Sequence, residues 1–197
     1  MRLLFPCLLL AVSMLAHAAP NCAACHAGSA NFDKGAGLCL PAAIEGLESV
    51  AYSAERQAGL RAYRNSVAAG YNRPQHQLAI TSYLYDRADD SAAGDANEKR
   101  ALVAEIMHVH PNATLEQGGA TSLTVGGKPS PGVGGLFTWV EDGNDIASFY
   151  WLMPRGSRYL KIRATYVRPI GGEGEAMSST LKAVHEVAEN FCAASPI

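Results

Sequence analysis

The sequence lacks the short motifs that identify the common classes of enzyme. It contains no G-x-S-x-G nucleophile turn, no phosphate-binding loop, no H-E-x-x-H metal motif and no dinucleotide-binding glycine pattern. The glycine-rich residues 132–135 fit a loop before a strand. The histidines beyond the N-terminal segment stand without a motif that would make one of them a general base: His76, His108, His110 and His185. Enzymatic activity is thus undecided from the sequence, and a non-catalytic protein is favoured.

An excess of one charge sign is also missing. The chain has 16 Lys and Arg against 18 Asp and Glu, a formal net charge of −2, and its basic residues form neither a cluster nor a stripe. Nucleic acids and anionic membrane surfaces are bound through such basic patches. We therefore expect no nucleic-acid partner.

Long apolar runs are absent except at the N-terminus. Residues 3–15 follow the positive Arg2 and are almost wholly apolar, but they fall short of the ~20 residues that a membrane span needs. The small residues of Ala16-His17-Ala18 suit a signal peptidase. This order predicts a signal peptide over residues 1–18, a periplasmic or secreted protein, and no stable membrane anchor after cleavage.

Export changes what the cysteines are expected to do. Cys7 leaves with the signal peptide, and Cys22, Cys25, Cys39 and Cys192 meet an oxidising compartment. Four cysteines allow three pairings. We expect either Cys22 or Cys25 to pair with Cys39 and the remaining one to pair with Cys192, so that both ends of the chain are held against the domain.

The run Cys22-Ala-Ala-Cys25-His26 allows a different chemistry. Two cysteines followed by a histidine at this spacing is the attachment motif of c-type haem, with the histidine as an iron ligand. A redox dithiol and a zinc site that adds Cys39, or borrows His108 and His110, use the same residues. We expect disulfides, with no cofactor and no metal, and keep haem c as the alternative.

The rest of the chain divides by its apolar pattern. Residues 19–43 show no period and predict an irregular arm, residues 44–192 form one domain, and residues 193–197 are a tail. Within the domain, residues 44–66 fit a helix or two short strands, and we favour strands. Turn residues at 70–74 then lead into a β-branched and aromatic strand at 78–85.

The second half of the domain reads as a helix, four strands and a helix. The first helix is capped by Asp95 or Asn97 and runs to about His108. Tight turns separate antiparallel strands at 120–125, 135–140, 146–152 and 158–167. The closing helix covers residues 173–191, with Ser178 or Ser179 as its cap and an apolar stripe that should lie on the sheet. The fold class is α+β, an antiparallel sheet of five to seven strands packed against two helices.

Aromatic and basic side chains recur on the predicted strands. If one face of the sheet carries them together, they form a site for a small anionic or peptide ligand: Tyr83, Tyr85, Tyr159, Lys161 and Arg163. The competing interpretation is that they are core residues and cross-strand pairs.

The order of these elements resembles a known architecture. The segments YLYDR at 83–87 and YLKIRATYV at 159–167, each followed by a helix, are similar to exported bacterial proteins of PsbP-like α/β/α architecture over residues 44–191. The resemblance implies a sandwich fold and an accessory or binding role without catalysis. We therefore predict an exported, non-catalytic protein that binds an unknown small molecule or protein. The alternative is a periplasmic haem electron carrier or redox protein that uses Cys22, Cys25 and His26.

Overall fold

A computed structural model describes Cys25 and residues 32–193. Its strands are β1 (Phe32–Asp33), β2 (Leu38–Cys39), β3 (Glu48–Val50), β4 (Val67–Arg73), β5 (Leu78–Asp86), β6 (Thr114–Val125), β7 (Lys128–Glu141), β8 (Asn144–Arg155), β9 (Arg158–Val167) and β10 (Cys192–Ala193). Its helices are α1 (Ala54–Ala62), α2 (Ala92–Val109) and α3 (Glu173–Glu189). No helix among the described residues is long and apolar enough to cross a bilayer.

Seven strands form one antiparallel sheet in the order β3-β4-β5-β9-β8-β7-β6. The turns between the later strands use backbone that favours glycine, with positive φ at Gly126, Gly127, Asp142 and Gly143. The predicted α+β fold with an antiparallel sheet is confirmed.

The two faces of the sheet are covered by different helices. Along β9, Leu160, Ile162 and Ala164 are buried under the apolar stripe of α3, which contributes Val184 and Val187 to the same core. On the opposite face, α2 inserts Leu102 and Ile106 into a second core of aromatic side chains: Tyr85, Phe137, Trp139, Tyr150 and Tyr159. Successive residues of a strand point to opposite faces of the sheet, one covered by α3 and the other by α2. The sheet is therefore the middle of three layers.

Residues 44–66 differ from the prediction of two strands. They contain the short strand β3 and then α1, whose first turn is capped by the Ser53 hydroxyl accepting from the backbone N–H of Arg56 at 3.2 Å. Helix-forming residues fill α1, and none of them is buried, so the helix leaves no apolar period to detect. The turn predicted at residues 70–74 lies further along the chain than predicted. Strand β4 continues to Arg73, and a short 3-10 helix, Pro74–His76, connects it to β5.

Several predicted element ends are also wrong. Helix α2 begins earlier, where Ser91 accepts from the N–H of Gly94 at 3.1 Å, and α3 follows Gly172 without a side-chain cap. Strands β6 and β7 each extend several residues further than predicted, and residues 132–135 lie inside β7 instead of in a loop. Pro129 and Pro131 hid this extension, which they tolerate because that part of β7 pairs with β6 alone.

The N-terminal arm is more ordered than predicted. Strands β1 and β2 join β10 in a small antiparallel sheet. In its register the backbone of Cys39 lies opposite that of Cys192. Leu38 and Leu40 are buried in the main core under α3. The arm has no apolar period because only these few residues contact the core. From Phe32 onward it therefore packs against the domain.

Candidate functional site

The five residues of the predicted ligand face lie on one side of the sheet. In the register of β5 and β9, Tyr83 is opposite Lys161, Tyr85 is opposite Tyr159, and Thr81 is opposite Arg163. Directly opposed residues of antiparallel strands share a face, and here it is the α2 face. Strand alternation therefore brings all five side chains to the same side.

Helix α2 covers two of the five. Tyr85 and Tyr159 are 5% and 1% exposed, and their rings lie 5.7 Å apart. The Tyr85 hydroxyl donates to Glu98 Oε1 at 2.9 Å, and the Tyr159 hydroxyl donates to Asp95 Oδ1 at 2.5 Å. Burial, reinforced by the neighbouring carboxylates, raises the pKa of Tyr85 and raises that of Tyr159 to about 12. These two tyrosines hold α2 on the sheet and are closed to a ligand.

Tyr83 and Lys161 make a partly buried pair at the margin of α2. The Lys161 ammonium lies 4.8 Å from the centre of the Tyr83 ring and 3.6 Å from Glu105 Oε2, and only 14% of the lysine side chain is exposed. Burial lowers the pKa of Lys161, and the positive charge of Arg163 acts in the same direction against the opposing effect of Glu105. The lysine ammonium is thus held between a carboxylate and an aromatic ring.

Arg163 has a different environment. Its Nε–H donates to the Ser148 hydroxyl at 2.9 Å, and its guanidinium carbon lies 6.0 Å from the centre of the Trp139 ring. Among residues 32–193 and Cys25, no carboxylate lies within ion-pair distance of this guanidinium. Glu105 acts on it only from further away. Burial lowers the pKa of Arg163. The side chain is therefore a partly buried cation without a paired anion in the described protein.

Two residues that the sequence did not indicate complete this surface. The His110 ring stacks on Trp139 at 4.1 Å between centroids, and Trp139 Nε1–H donates to Glu141 Oε2 at 2.8 Å. Burial lowers the pKa of His110, and the nearby charge of Arg163 lowers it further. The position of Trp139 on a predicted strand was visible in the sequence, but its alignment with Arg163 depends on the strand order. We call the set Tyr83, Lys161, Arg163, Trp139 and His110 the cation–aromatic surface.

The cysteine motif is only partly within the described residues. Cys25 is bonded to Cys39, with their Cα atoms 5.8 Å apart, which agrees with one of the expected pairings. Cys192 is also disulfide-bonded, and its carbonyl oxygen lies 3.3 Å from Cys25 Sγ. Cys22 and His26 lie outside the described residues. Within the described part of the chain, no three His, Cys, Asp or Glu side chains are grouped so that they could hold a metal ion.

A separate cavity of about 360 Å³ lies at the edge of β4, where β3 stops pairing with it. It is bounded by α1 and by residues 40–42, 49–52 and 66–71, most of them small or apolar. None of the predicted ligand-face residues lines it.

Comparisons with known proteins assign no family. No protein-family model matches the chain, and no curated protein matches it. The crystal structure of PA94 from Pseudomonas aeruginosa, a protein of unknown function, covers 54% of this chain and 70% of its own, with 15% identity and a TM-score of 0.36. The crystal structure of LpqN, involved in cell envelope biogenesis of Mycobacterium tuberculosis, matches 79% of this chain and 82% of the LpqN chain, with 14% identity and a TM-score of 0.44. Values this low transfer neither family nor function.

Proposed function

We propose that this chain is an exported, non-catalytic binding protein that holds a small anionic ligand at the cation–aromatic surface. The observation that carries the proposal is the environment of Arg163, a partly buried guanidinium with no carboxylate in ion-pair range among the described residues. A charge removed from water without a partner costs free energy. A bound anion repays that cost.

The groups around Arg163 suit a carboxylate or phosphate. A guanidinium presents paired N–H groups that bind such anions in a bidentate manner. Lys161 supplies a second positive charge from the same face of β9; Glu105 lies in ion-pair range of Lys161 and acts on Arg163 only from further away. The partly buried Tyr83 provides apolar area beside the two cations, whereas Trp139 is 6% exposed and packs against His110 and Arg163. The surface therefore combines two cations, one of them without a carboxylate in ion-pair range among the described residues, with an aromatic side chain.

Two features support export. The Cys25–Cys39 disulfide is of the kind that persists in oxidising compartments. The N-terminal sequence has the charge, apolar run and small residues of a signal peptide. This signal-like segment lies outside the described residues.

Calorimetric titration with inorganic phosphate and with succinate tests this function. We expect saturable binding to the parent protein and binding weaker by about tenfold or more in Arg163→Met. Arg168→Met is the matched control, because Arg168 already pairs with Glu173 at 2.7 Å. Equal affinity in the parent and Arg163→Met, or no binding of either anion, contradicts the proposal.

A further inference from the structure

A second cavity lies on the opposite face of the sheet from Arg163. It has a volume of about 410 Å³ and lies between α3 and the edge formed by β6, β7 and β8. Its lining includes residues 117–123 and 134–136, the aromatic residues Phe149 and Trp151, and Leu181 and His185 of α3. Trp151 belongs to the core under α3, which places the cavity on that side of the sheet. We call it the α3 groove.

Part of the groove floor consists of glycine. Gly119 of β6 pairs with Gly134 of β7, and Gly134 pairs with Trp151 of β8, so the three share the α3 face. Glycine inside a strand costs about 0.5–1 kcal/mol relative to alanine, and it often marks a place where a ligand approaches the backbone closely. A glycine at these positions is therefore expected to be required by packing, by backbone conformation or by a ligand.

At Gly134 the packing of the sheet itself requires glycine. A Cβ at Gly134 would lie 3.0 Å from the carbonyl oxygen of Tyr150 and 3.1 Å from Thr121 Cγ2. Gly119 differs, because a Cβ there would meet no described heavy atom within 4 Å, and its φ is not in the left-handed region. Neither packing nor backbone conformation requires glycine at position 119. Gly119 is exposed on the edge strand β6, and the open space above it forms part of the groove.

The lining defines the chemistry of an occupant. The partly buried Phe149 ring offers apolar area, and the Trp151 ring, 6% exposed, lies 5.6 Å from it, close enough to report on a ligand at Phe149. Gln117 and Thr121, on the same face of β6 as Gly119, offer amide and hydroxyl groups, and none of the described lining residues is an acid, a lysine or an arginine. A charged ligand finds no opposite charge there, whereas a ring with apolar C–H faces and hydroxyl groups finds both kinds of partner. We propose that the α3 groove binds a neutral saccharide ring that lies over the bare backbone of Gly119.

This site is independent of the anion site, because the two lie on opposite faces of the sheet. Tryptophan fluorescence tests it in a Trp139→Phe background, where Trp151 is the remaining tryptophan. Maltose, cellobiose and N,N′-diacetylchitobiose serve as probes. We expect at least one of them to change the Trp151 emission saturably. If none of the three does so, the assignment of a neutral saccharide is wrong.

A matched pair of variants in the full chain locates the ligand. Gly119→Val places a branched side chain on the groove floor and should weaken binding by about tenfold or more. Gly118→Ala is the control: the backbone of Gly118 also borders the groove, but its added Cβ would lie on the opposite face of the sheet and meet only ordinary contacts, the nearest at 3.6 Å. Both variants should keep the parent Tm or raise it, since valine and alanine suit a strand better than glycine. Equal saccharide affinity in the two variants, or loss in both, overturns the placement. Arg163→Met should leave saccharide binding unchanged, which separates this result from the proposed function.

Discussion

Arg158 and Arg163 lie on the same strand, and of the two only Arg158 pairs with carboxylates among the described residues. Arg158 Nη2 lies 2.6 Å from Asp33 Oδ2, Nη1 donates to Asp86, and further bonds reach the backbone oxygens of Asn65 and Leu84. The guanidinium thus joins the N-terminal strand β1 to the main sheet. The side chain is 2% exposed.

Removal of this arginine should be costly. Arg158→Met leaves Asp33, itself 7% exposed, without its cation, and we expect a loss of about 3–5 kcal/mol in the free energy of unfolding. Urea denaturation measures it. Arg168→Met, which breaks a more exposed pair, should cost about 1 kcal/mol or less. Similar losses in the two variants would show that the Arg158 network does not fasten the arm.

Arg163→Met should behave differently in the same assay. The variant removes a partly buried charge that has no paired carboxylate in the described protein, and it gives up one bond to Ser148, which keeps its contact with Thr165 at 2.8 Å. We expect the free energy of unfolding to change by about 1 kcal/mol or less, in either direction. A loss as large as that of Arg158→Met would mean that the Arg163 guanidinium is needed for folding.

The Cys25–Cys39 disulfide should contribute to stability. It closes a loop with a sequence separation of 14, for which the chain-entropy model gives about 3 kcal/mol. The double variant Cys25→Ala, Cys39→Ala should lose an amount of this order in urea denaturation. An unchanged midpoint would show that the small sheet alone fixes the arm.

The same cysteine separates the disulfide account from the haem alternative. Thioether attachment at the Cys22-Ala-Ala-Cys25-His26 motif needs the Cys25 sulfur, which is bonded to Cys39 in this structure. We expect a colourless protein whose intact mass is lower than the reduced chain by four hydrogens, the sign of two disulfides. A Soret band that survives denaturation, with the mass of one haem, would establish the alternative.

Tyr159 should make the protein sensitive to alkaline pH. Burial and the hydrogen bond to Asp95 raise the pKa of Tyr159 to about 12, above the value of about 10 in an unfolded chain. The stabilisation is therefore complete below pH 10 and is lost as the pH rises through about 12. Tyr159→Phe cannot titrate, so the stability difference between parent and variant should shrink between pH 8 and pH 11. A constant difference would contradict this role.

Local periodicity predicted the elements that bury a whole face. The alternation of Leu160, Ile162 and Ala164 in β9 and the stripe of α3 are properties of neighbouring residues, and both predictions were confirmed. Helix α1 has no such face, since none of its residues is buried, and it was mistaken for strands. The extensions of β6 and β7 depend on backbone pairing across the sheet, which glycine and proline in their sequences conceal.

For the candidate site, too, the local alternation of residues was predictable from the sequence and the long-range arrangement was not. Alternation along β5 and β9 places Tyr83, Lys161 and Arg163 on one face once the two strands are known to pair. That α2 covers Tyr85 and Tyr159 follows from the side on which the helix lies, which no local pattern determines. The approach of Trp139 to Arg163 requires the order β9-β8-β7, a property of the assembled sheet.

The most direct test of the central claim is NMR detection of the arginine Nε–Hε resonances during titration with inorganic phosphate. Our account predicts a saturable shift of the Arg163 resonance, with those of Arg158 and Arg168 unchanged because both already pair with carboxylates. An Arg163 resonance that does not move, or one that moves no more than the other two, would contradict an anion site at the cation–aromatic surface.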